Sequence, residues 1–525
     1  MRREIEAIGA IFTLVFASFN SYAQEPDTLA RQLTPFQKQS LRDYVEEFGD
    51  VLSVTELSNV DGFTPDEAAW LWDEASRLMS RDSSRWKGAL TARAKKKYSQ
   101  EGFSIMSKYL LESDSGFEAG VVVDNDPGEK FPDFVSAHVS HKGLVIGDYS
   151  ARYGQGLVLW KATALNVMGE PASLLRRAPG ISGYKSTDET NFLRGAAYSR
   201  TFGRFETSVF ASYKKADAKS LDSCSVHEAV GGFNVGLKGR NWKIGLTAVG
   251  YTFDRLVKHT VRDDNRLRIY DGLWGNAGVD FMASLGHWRL FAEVACDAHP
   301  AFAALAGAIW SPDYNLEASL QLRAYSPEYT ATHSMGSVYN DAGASVAVKY
   351  LHGNWKFNFN AQYDWYPWYR YNKPAGGQSY KFRIVAQRTF GSGALVLSQL
   401  TFGETFKMRL HAAVPLGQFS VAARAEANIA EMPQQVGHGY YVELSWKSQK
   451  LSAVARATYY NTDGWSTRIY FYEKNTPQSF GSEVYYGRGF GWYVLLKYSP
   501  SRRMDFCVKA RQNYSVFFMR IFIPG

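Results

Sequence analysis

The chain has 525 residues, with 59 Lys and Arg against 51 Asp and Glu, 32 Tyr, 33 Phe, 14 Trp, 45 Gly, 17 Pro and 3 Cys. Its charge and proline fractions exclude a globally disordered chain, and Cys224, Cys296 and Cys507, odd in number and far apart, exclude a disulfide framework or a four-thiolate zinc site. An excess of aromatics and Gly without long apolar runs points to β-structure rich in aromatic girdles and tight turns.

Residues 1–23 read as a secretory signal. Arg2 and Arg3 make a basic start, 8–19 an apolar stretch, and Ser21-Tyr22-Ala23 a small-x-small cleavage site before Gln24. The apolar stretch is too short to span a bilayer as a helix. No later run reaches the roughly 18 apolar residues a spanning helix needs, so any membrane residence must use strands.

Residues 24–84 predict a small all-α module. Thr34, Pro35 and Gln37 supply an N-cap, a first-turn proline and a capping-box partner for a helix over 34–48, with Leu41, Tyr44, Val45 and Phe48 on one face. Ser53 to Glu56 opens a second helix through Leu57. Thr64 to Glu67 opens a third, with Ala68, Leu71, Trp72, Ala75 and Leu78 in one stripe.

Between them, Val60, Asp61, Gly62, Phe63 and Thr64 form a tight turn, and the spacing from Leu57 to Leu71 resembles a helix-hairpin-helix motif. That resemblance implies non-sequence-specific binding of a DNA phosphate on the amides of the turn. Here Thr64 replaces the usual second glycine, no Lys follows it, and 24–80 holds 4 basic and 12 acidic residues, a net −8. Phosphate affinity comes mostly from charge neutralisation, so a structural or protein-contact role is the expectation and DNA contact through 53–80 the alternative. Residues 81–100 invert the sign, with 7 basic residues and Asp82 giving +6. They read as a solvated linker, a strand start near anionic headgroups, or a nucleic-acid contact.

Residues 85–525 read as strands. Trp355, Phe357, Phe359, Ala361, Tyr363 and Trp365 alternate with polar neighbours, as do the apolar positions of 316–324 and 406–414. The two architectures compatible with this are a soluble sheet buried on one face and a transmembrane barrel. Segment lengths of about 9–12 residues favour the barrel. So do aromatics at segment ends (Trp355 with Trp365, Tyr459 with Tyr460, Trp492 with Tyr498) and the alternation of short turns such as 351–354 with long segments at 216–228, 326–341 and 461–466. The expected fold is mainly β: a large antiparallel transmembrane β-barrel of about 18–22 strands, counted between Gly116 and Ile523, closed by the aromatic strand 517–523.

Three blocks carry a family resemblance: 124–129 (Asp-Asn-Asp-Pro-Gly-Glu); Ile146-Gly147-Asp148-Tyr149 with 153–160; and 186–189 leading to 192–197. Over about 34–200 their order resembles a secreted Bacteroidota family in which a helix-hairpin-helix segment precedes a long β-rich region. The resemblance implies membership and architecture but no mechanism. Asp148, Tyr149, Gly154, Gln155 and Gly156 are the candidate barrel-mouth motif. Asp124, Asp126, Glu129 and Asp148 suit either calcium ligation or, as preferred, pairing with Arg176, Arg177 and Arg194 in a polar loop folded into the mouth.

No His-Glu-x-x-His, Gly-x-Ser-x-Gly or P-loop pattern occurs, and His138 and His141 fall on opposite faces of a strand, so neither an enzyme nor a cofactor is expected. The leading expectation is an outer-membrane barrel with a periplasmic or plug-like module, in contact with outer-membrane lipid and envelope proteins, for transport or export. DNA uptake and a structural or adhesive surface role are the alternatives. The module's −8 faces +16 on the rest, 53 basic against 37 acidic beyond position 80, which makes Asp61, Asp66 and Glu67 candidate docking contacts.

Overall fold

The computed structural model describes residues 86–161, 169–219, 222, 224–336, 338–371, 373–430, 434–479 and 482–524, together with Leu57, Val60, Ala68, Leu71 and Trp72. Leu57, Ala68, Leu71 and Trp72 are helical, and all five of these positions are buried. The signal segment, the helix over 34–48 and the turn residues Asp61, Gly62, Phe63 and Thr64 lie outside the described residues.

Twenty-five strands join in one antiparallel sheet. The short strand Gly180–Gly183 continues Leu193–Phe202 along the same partner, Leu144–Arg152, which leaves 24 strands around the wall. The wall closes where the last strand, Tyr514–Pro524, pairs with the first, Trp86–Lys97. All but two of the 24 lie after Gly116, at the top of the expected range. The other two, Trp86–Lys97 and Ser104–Ser113, correct the strand number. The basic stretch obscured the first because three consecutive lysines, Lys95, Lys96 and Lys97, interrupt the alternation of its faces. Thr91, Arg93 and Lys95 point inward, where the Arg93 Nη1 donates to Ser479 Oγ at 3.0 Å and Lys95 lies over the Tyr514 ring.

Two faces of opposite character follow from the two-residue period. On Trp355–Tyr366, Trp355, Phe357, Phe359, Tyr363 and Trp365 are exposed on the outside, while Asn360 and Asp364 are buried within. On Leu316–Tyr325, Leu320 and Leu322 face out, while Glu317 and Ser319 are buried. Aromatics rim the outer face as expected at Trp355, Trp365, Tyr459, Trp492 and Tyr498. Tyr460 is the exception: it turns inward and its ring lies 5.0 Å from that of Tyr485.

Connections alternate in length. One end carries tight turns, at 142–143, 203–204, 286–287, 353–354, 417–418 and 502–503. The other carries 153–192, 254–273, 326–340, 367–376 and 463–487. Two expected loops are corrected: 216–228 is largely strand, because Phe205–Lys219 and Ser225–Lys238 pair well beyond the apolar band, and 461–466 only begins a longer excursion.

A soluble chain rarely exposes a contiguous apolar patch above a few hundred Å², and here the apolar face follows the wall from strand to strand. Hydrocarbon is the solvent that fits it, and a closed wall leaves no strand edge unpaired in that solvent. The two faces therefore respond differently to charge. Val442, 57% exposed at the middle of Gln435–Lys447, faces outward, whereas Ser445 faces the lumen. Val442→Arg should cost about 2–4 kcal/mol in urea unfolding from liposomes, and Ser445→Arg well under half of that.

Candidate functional site: the occupied lumen

A wall of this strand number encloses a space far wider than side chains alone can fill. Here three of the long connections fold back into it.

The first is the segment after Leu144–Arg152, which holds the candidate mouth motif. Asp148 and Tyr149 lie in the middle of the strand, and both are buried. Asp148, 1% exposed, takes a bidentate contact from Arg194, with Nε to Oδ1 at 2.6 Å and Nη2 to Oδ2 at 2.9 Å. The Tyr149 hydroxyl donates to the Ala211 carbonyl at 2.8 Å. The chain then turns through Gly154 and Gly156, both with positive φ, so that the amides of Gln155 and Leu157 converge on one carboxylate oxygen, Glu293 Oε2, at 2.5 and 3.2 Å. A Cβ on Gly154 would stand 2.7 Å from that same oxygen, so glycine is needed for the approach as well as for the turn.

Gln155 clamps the next stretch by exchanging hydrogen bonds with the Arg176 backbone, Nε2 to O at 3.1 Å and N to Oε1 at 2.9 Å. Leu157, Val158 and Leu159 are fully buried against inward residues of the wall, including Phe210, Val249, Phe291 and Leu305. Of the five mouth residues, Tyr149 shares an apolar cluster with Leu157, Val158 and Leu159 just past the glycine turn, whereas Asp148 is engaged separately by Arg194. The structure also adds Glu293, which sequence reading missed. Its only signal is a carboxylate between the apolar inward positions Phe291 and Ala295 of Trp288–Asp297.

Of the preferred acid–base pairings, Asp148 with Arg194 forms. Arg176 instead stacks over Trp160, 5.8 Å from its ring. Asp126 accepts from Ser104 and from no cation recorded among the described residues. Among the described residues no three His, Cys, Asp or Glu side chains are placed to hold a metal. His138 points inward and is buried, while its neighbour Val139 faces out.

The second inserted segment, 326–340, lies on the first. The Tyr329 hydroxyl donates to the Leu157 carbonyl at 3.0 Å, the Met335 amide to Gly156 O at 3.0 Å, and the Trp160 amide to His333 O at 2.7 Å. His333 is buried beside Glu228 Oε1 at 3.2 Å, with the Tyr251 ring edge-on at 4.7 Å and Lys161 and Lys214 close enough to oppose a further positive charge. Burial above all, then the lysines, push its pKa down to about 4.

A folded-state value below the ordinary one of about 6.5 means that the inserted conformation is favoured while the ring is neutral in both states. That advantage is lost as pH falls from about 6.5 toward 4, because released loop binds the proton more readily. Hydrogen exchange of the amides of 329–335, corrected for intrinsic rate, should therefore rise between pH 7.5 and 5, and His333→Gln should flatten the profile.

The third insertion is the excursion 463–487, a separate two-stranded hairpin of Ile469–Tyr472 with Ser482–Tyr485. Its Ile469, Phe471 and Tyr485 pack on the inward ring of Tyr441. Gly437 allows the close approach, since a Cβ there would fall 2.2 Å from the Thr467 carbonyl. Two buried ionic clusters tie the hairpin down. Glu473 accepts from Lys509 Nζ at 2.9 Å, Arg511 Nε at 3.2 Å and the Tyr485 hydroxyl at 2.6 Å. Lys509 foremost, with the tyrosine hydroxyl and Arg511, holds the Glu473 carboxyl below its ordinary range against the opposing effect of burial. Glu443 accepts from Arg456 and from the Tyr493 hydroxyl and pairs with Lys474 at 3.2 Å, while Arg456 Nη1 donates to the Tyr472 carbonyl at 2.7 Å.

A closed wall, an apolar aromatic-rimmed exterior and a polar interior define a membrane-spanning β-barrel of the outer-membrane type, with its lumen occupied by its own connections. No family model and no curated protein matches the chain. Solved structures with a similar arrangement include the translocation pore of the P pilus usher PapC, 10% identical over 83% of this chain and 99% of that chain, TM-score 0.36. Others are the FrpB iron transporter from Neisseria meningitidis, 10% identical over 85% and 83%, TM-score 0.39, and the siderophore receptor PirA from Acinetobacter baumannii, 8% identical over 84% and 80%, TM-score 0.41. These scores are too low to carry function, which rests on the geometry above.

Proposed function

We propose that the chain is an outer-membrane transport channel held closed by its own inserted loops, and that the helical module 24–84 serves on the periplasmic side as a contact for envelope proteins. One observation carries the transport reading. The lumen is occupied by segments tethered at both ends to wall strands and fixed mainly by ion pairs and side-chain hydrogen bonds, so the hairpin in particular can leave without breaking the strand pairing that closes the wall. A barrel serving only as an anchor has no need of such releasable closures.

The net −8 of 24–80 favours a protein contact over DNA, because nucleic-acid affinity depends on neutralising phosphate charge. The test is membrane fractionation followed by uptake. The protein should sediment with outer membrane, shift mobility on heating in detergent, and sensitise cells to vancomycin when 466–486 is replaced by a short glycine linker. A soluble protein, or an inserted one whose excised form leaves sensitivity unchanged, would defeat the proposal.

A further inference from the structure

The apolar packing of the inserted segments skips one sector of the wall. Residues 153–161 and 169–175, with the described part of 326–340, lie against strands from Leu144–Arg152 to Trp355–Tyr366, and the hairpin lies against strands from Phe419–Ala430 onward. Between them, Gly377–Thr389, Leu395–Phe402 and Thr405–Leu416 contribute no side chain to the apolar clusters of the described residues.

The inner face of that sector is cationic. Tyr380, Phe382, Ile384, Met408 and Leu410 point outward, which places Lys381, Arg383, Lys407 and Arg409 inward. Arg383 pairs in register with Thr401, and Thr401 with Lys407, so these two cations stand level two strands apart. Two strand spacings are roughly 10 Å. Arg424 continues the row on the next strand, opposite His411.

Carboxylates balance them only in part: Glu170 lies near enough to attract Arg383, and Glu426 to attract Lys407 and Arg424, while only cations act on Lys381. Glu426 is committed to Arg409 at 2.8 Å, and Asp364 to Arg323. Among the described residues, no recorded ion pair joins Lys381, Arg383, Lys407 or Arg424 to a carboxylate. Among the described residues, the hydrogen bonds of the Arg383 guanidinium go to the neutral Asn360 Oδ1, at 3.0 and 3.2 Å. The Nε of Arg424 is buried with no acceptor, its guanidinium 5.5 Å from the Tyr441 ring. Arg383, Lys407 and Arg424 are half-buried with like charges beside them and Lys381 is exposed to the lumen, so an anion supplied from the aqueous lumen relieves the repulsion within the row.

We infer that this sector is an anion path, along which Lys381, Arg383, Lys407 and Arg424 pass solutes carrying phosphate or carboxylate groups. The inference rests on the transport reading above and names the solute class for it. Rows of Arg and Lys serve this purpose in anion and phosphate pores because guanidinium and ammonium donors replace the hydration of the passing oxyanion.

The test is the reversal potential in planar bilayers under a KCl gradient, with inorganic phosphate as a competing permeant. It is run on wild-type protein and in parallel on Glu473→Ala, in which the hairpin is released. Chloride should pass over potassium by about threefold or more, millimolar phosphate should reduce the chloride current, and Lys381→Glu with Arg383→Glu should bring the ratio to about 1 or below. An unchanged heat shift shows that the variant barrel is folded, and Lys407→Gln with Arg424→Gln gives a second, milder arm expected to lower the ratio and weaken the phosphate effect. Conductance that favours potassium, or a chloride preference indifferent to all four substitutions, overturns the anion path while leaving the channel standing. Absence of conductance from both proteins overturns the transport reading, and the anion path with it.

Discussion

Glu473→Ala is expected to release the lumenal hairpin and convert a closed barrel into a leaky one. The carboxylate is wholly buried and neutralises Lys509, also wholly buried, together with Arg511. Removing one member of such a cluster leaves its partners as uncompensated charges, at a cost of about 3–5 kcal/mol. A two-stranded hairpin has little stability of its own, and its remaining hold is the burial of Ile469, Phe471 and Tyr485, each worth roughly 1.5–3 kcal/mol. The open-to-closed ratio should therefore rise by about two to four orders of magnitude. This would be read as frequent single-channel openings and as vancomycin sensitivity in cells, with the heat shift of the wall unchanged. Adding Lys509→Met should restore closure in part, because it removes a charge left unpaired. If the double variant leaks as much as the single one, the cluster is not the latch.

Glu293→Ala should free the other insertion. Two buried amides, those of Gln155 and Leu157, lose their acceptor, at about 1–3 kcal/mol each. The glycine turn that presents them then has nothing to present them to. Trypsin should gain access to Lys161 and Arg176, and amide exchange should rise over 153–160. Glu293→Gln keeps an acceptor oxygen at the same place and should produce a smaller change. Protection equal to wild type in the alanine variant would show that the apolar contacts of Leu157, Val158 and Leu159 suffice to hold the segment.

The wall was legible in the sequence wherever lipid imposes a rule on every second residue. The run from Trp355 to Trp365 shows this, since each outward position must be apolar and each inward one meets water or a charge. Legibility failed where the inward face was unusual. Arg93 and Lys95 left three readings open, a linker, a strand start near headgroups or a nucleic-acid contact, and they line the lumen beside Ser479 and Tyr514.

The site was half legible. The spacing of Gly154 and Gly156 announced a turn beside Asp148 and Tyr149, and the preferred partner Arg194 was among the named residues. Glu293 lies 138 residues from Gln155, and Glu473 is 36 from Lys509; no local pattern links either pair. The hairpin 469–485 escaped notice for the same reason, since its strands are four residues each and its hold on the wall is ionic and distant in sequence.

Single-channel recording of the purified, heat-shift-verified protein addresses the central claim, a membrane barrel closed by its own loops, most directly. Wild type should open rarely, and a variant carrying both Glu293→Ala and Glu473→Ala should hold open with conductance larger than either single variant. A double variant that inserts, keeps its heat shift and stays as silent as wild type would contradict the account.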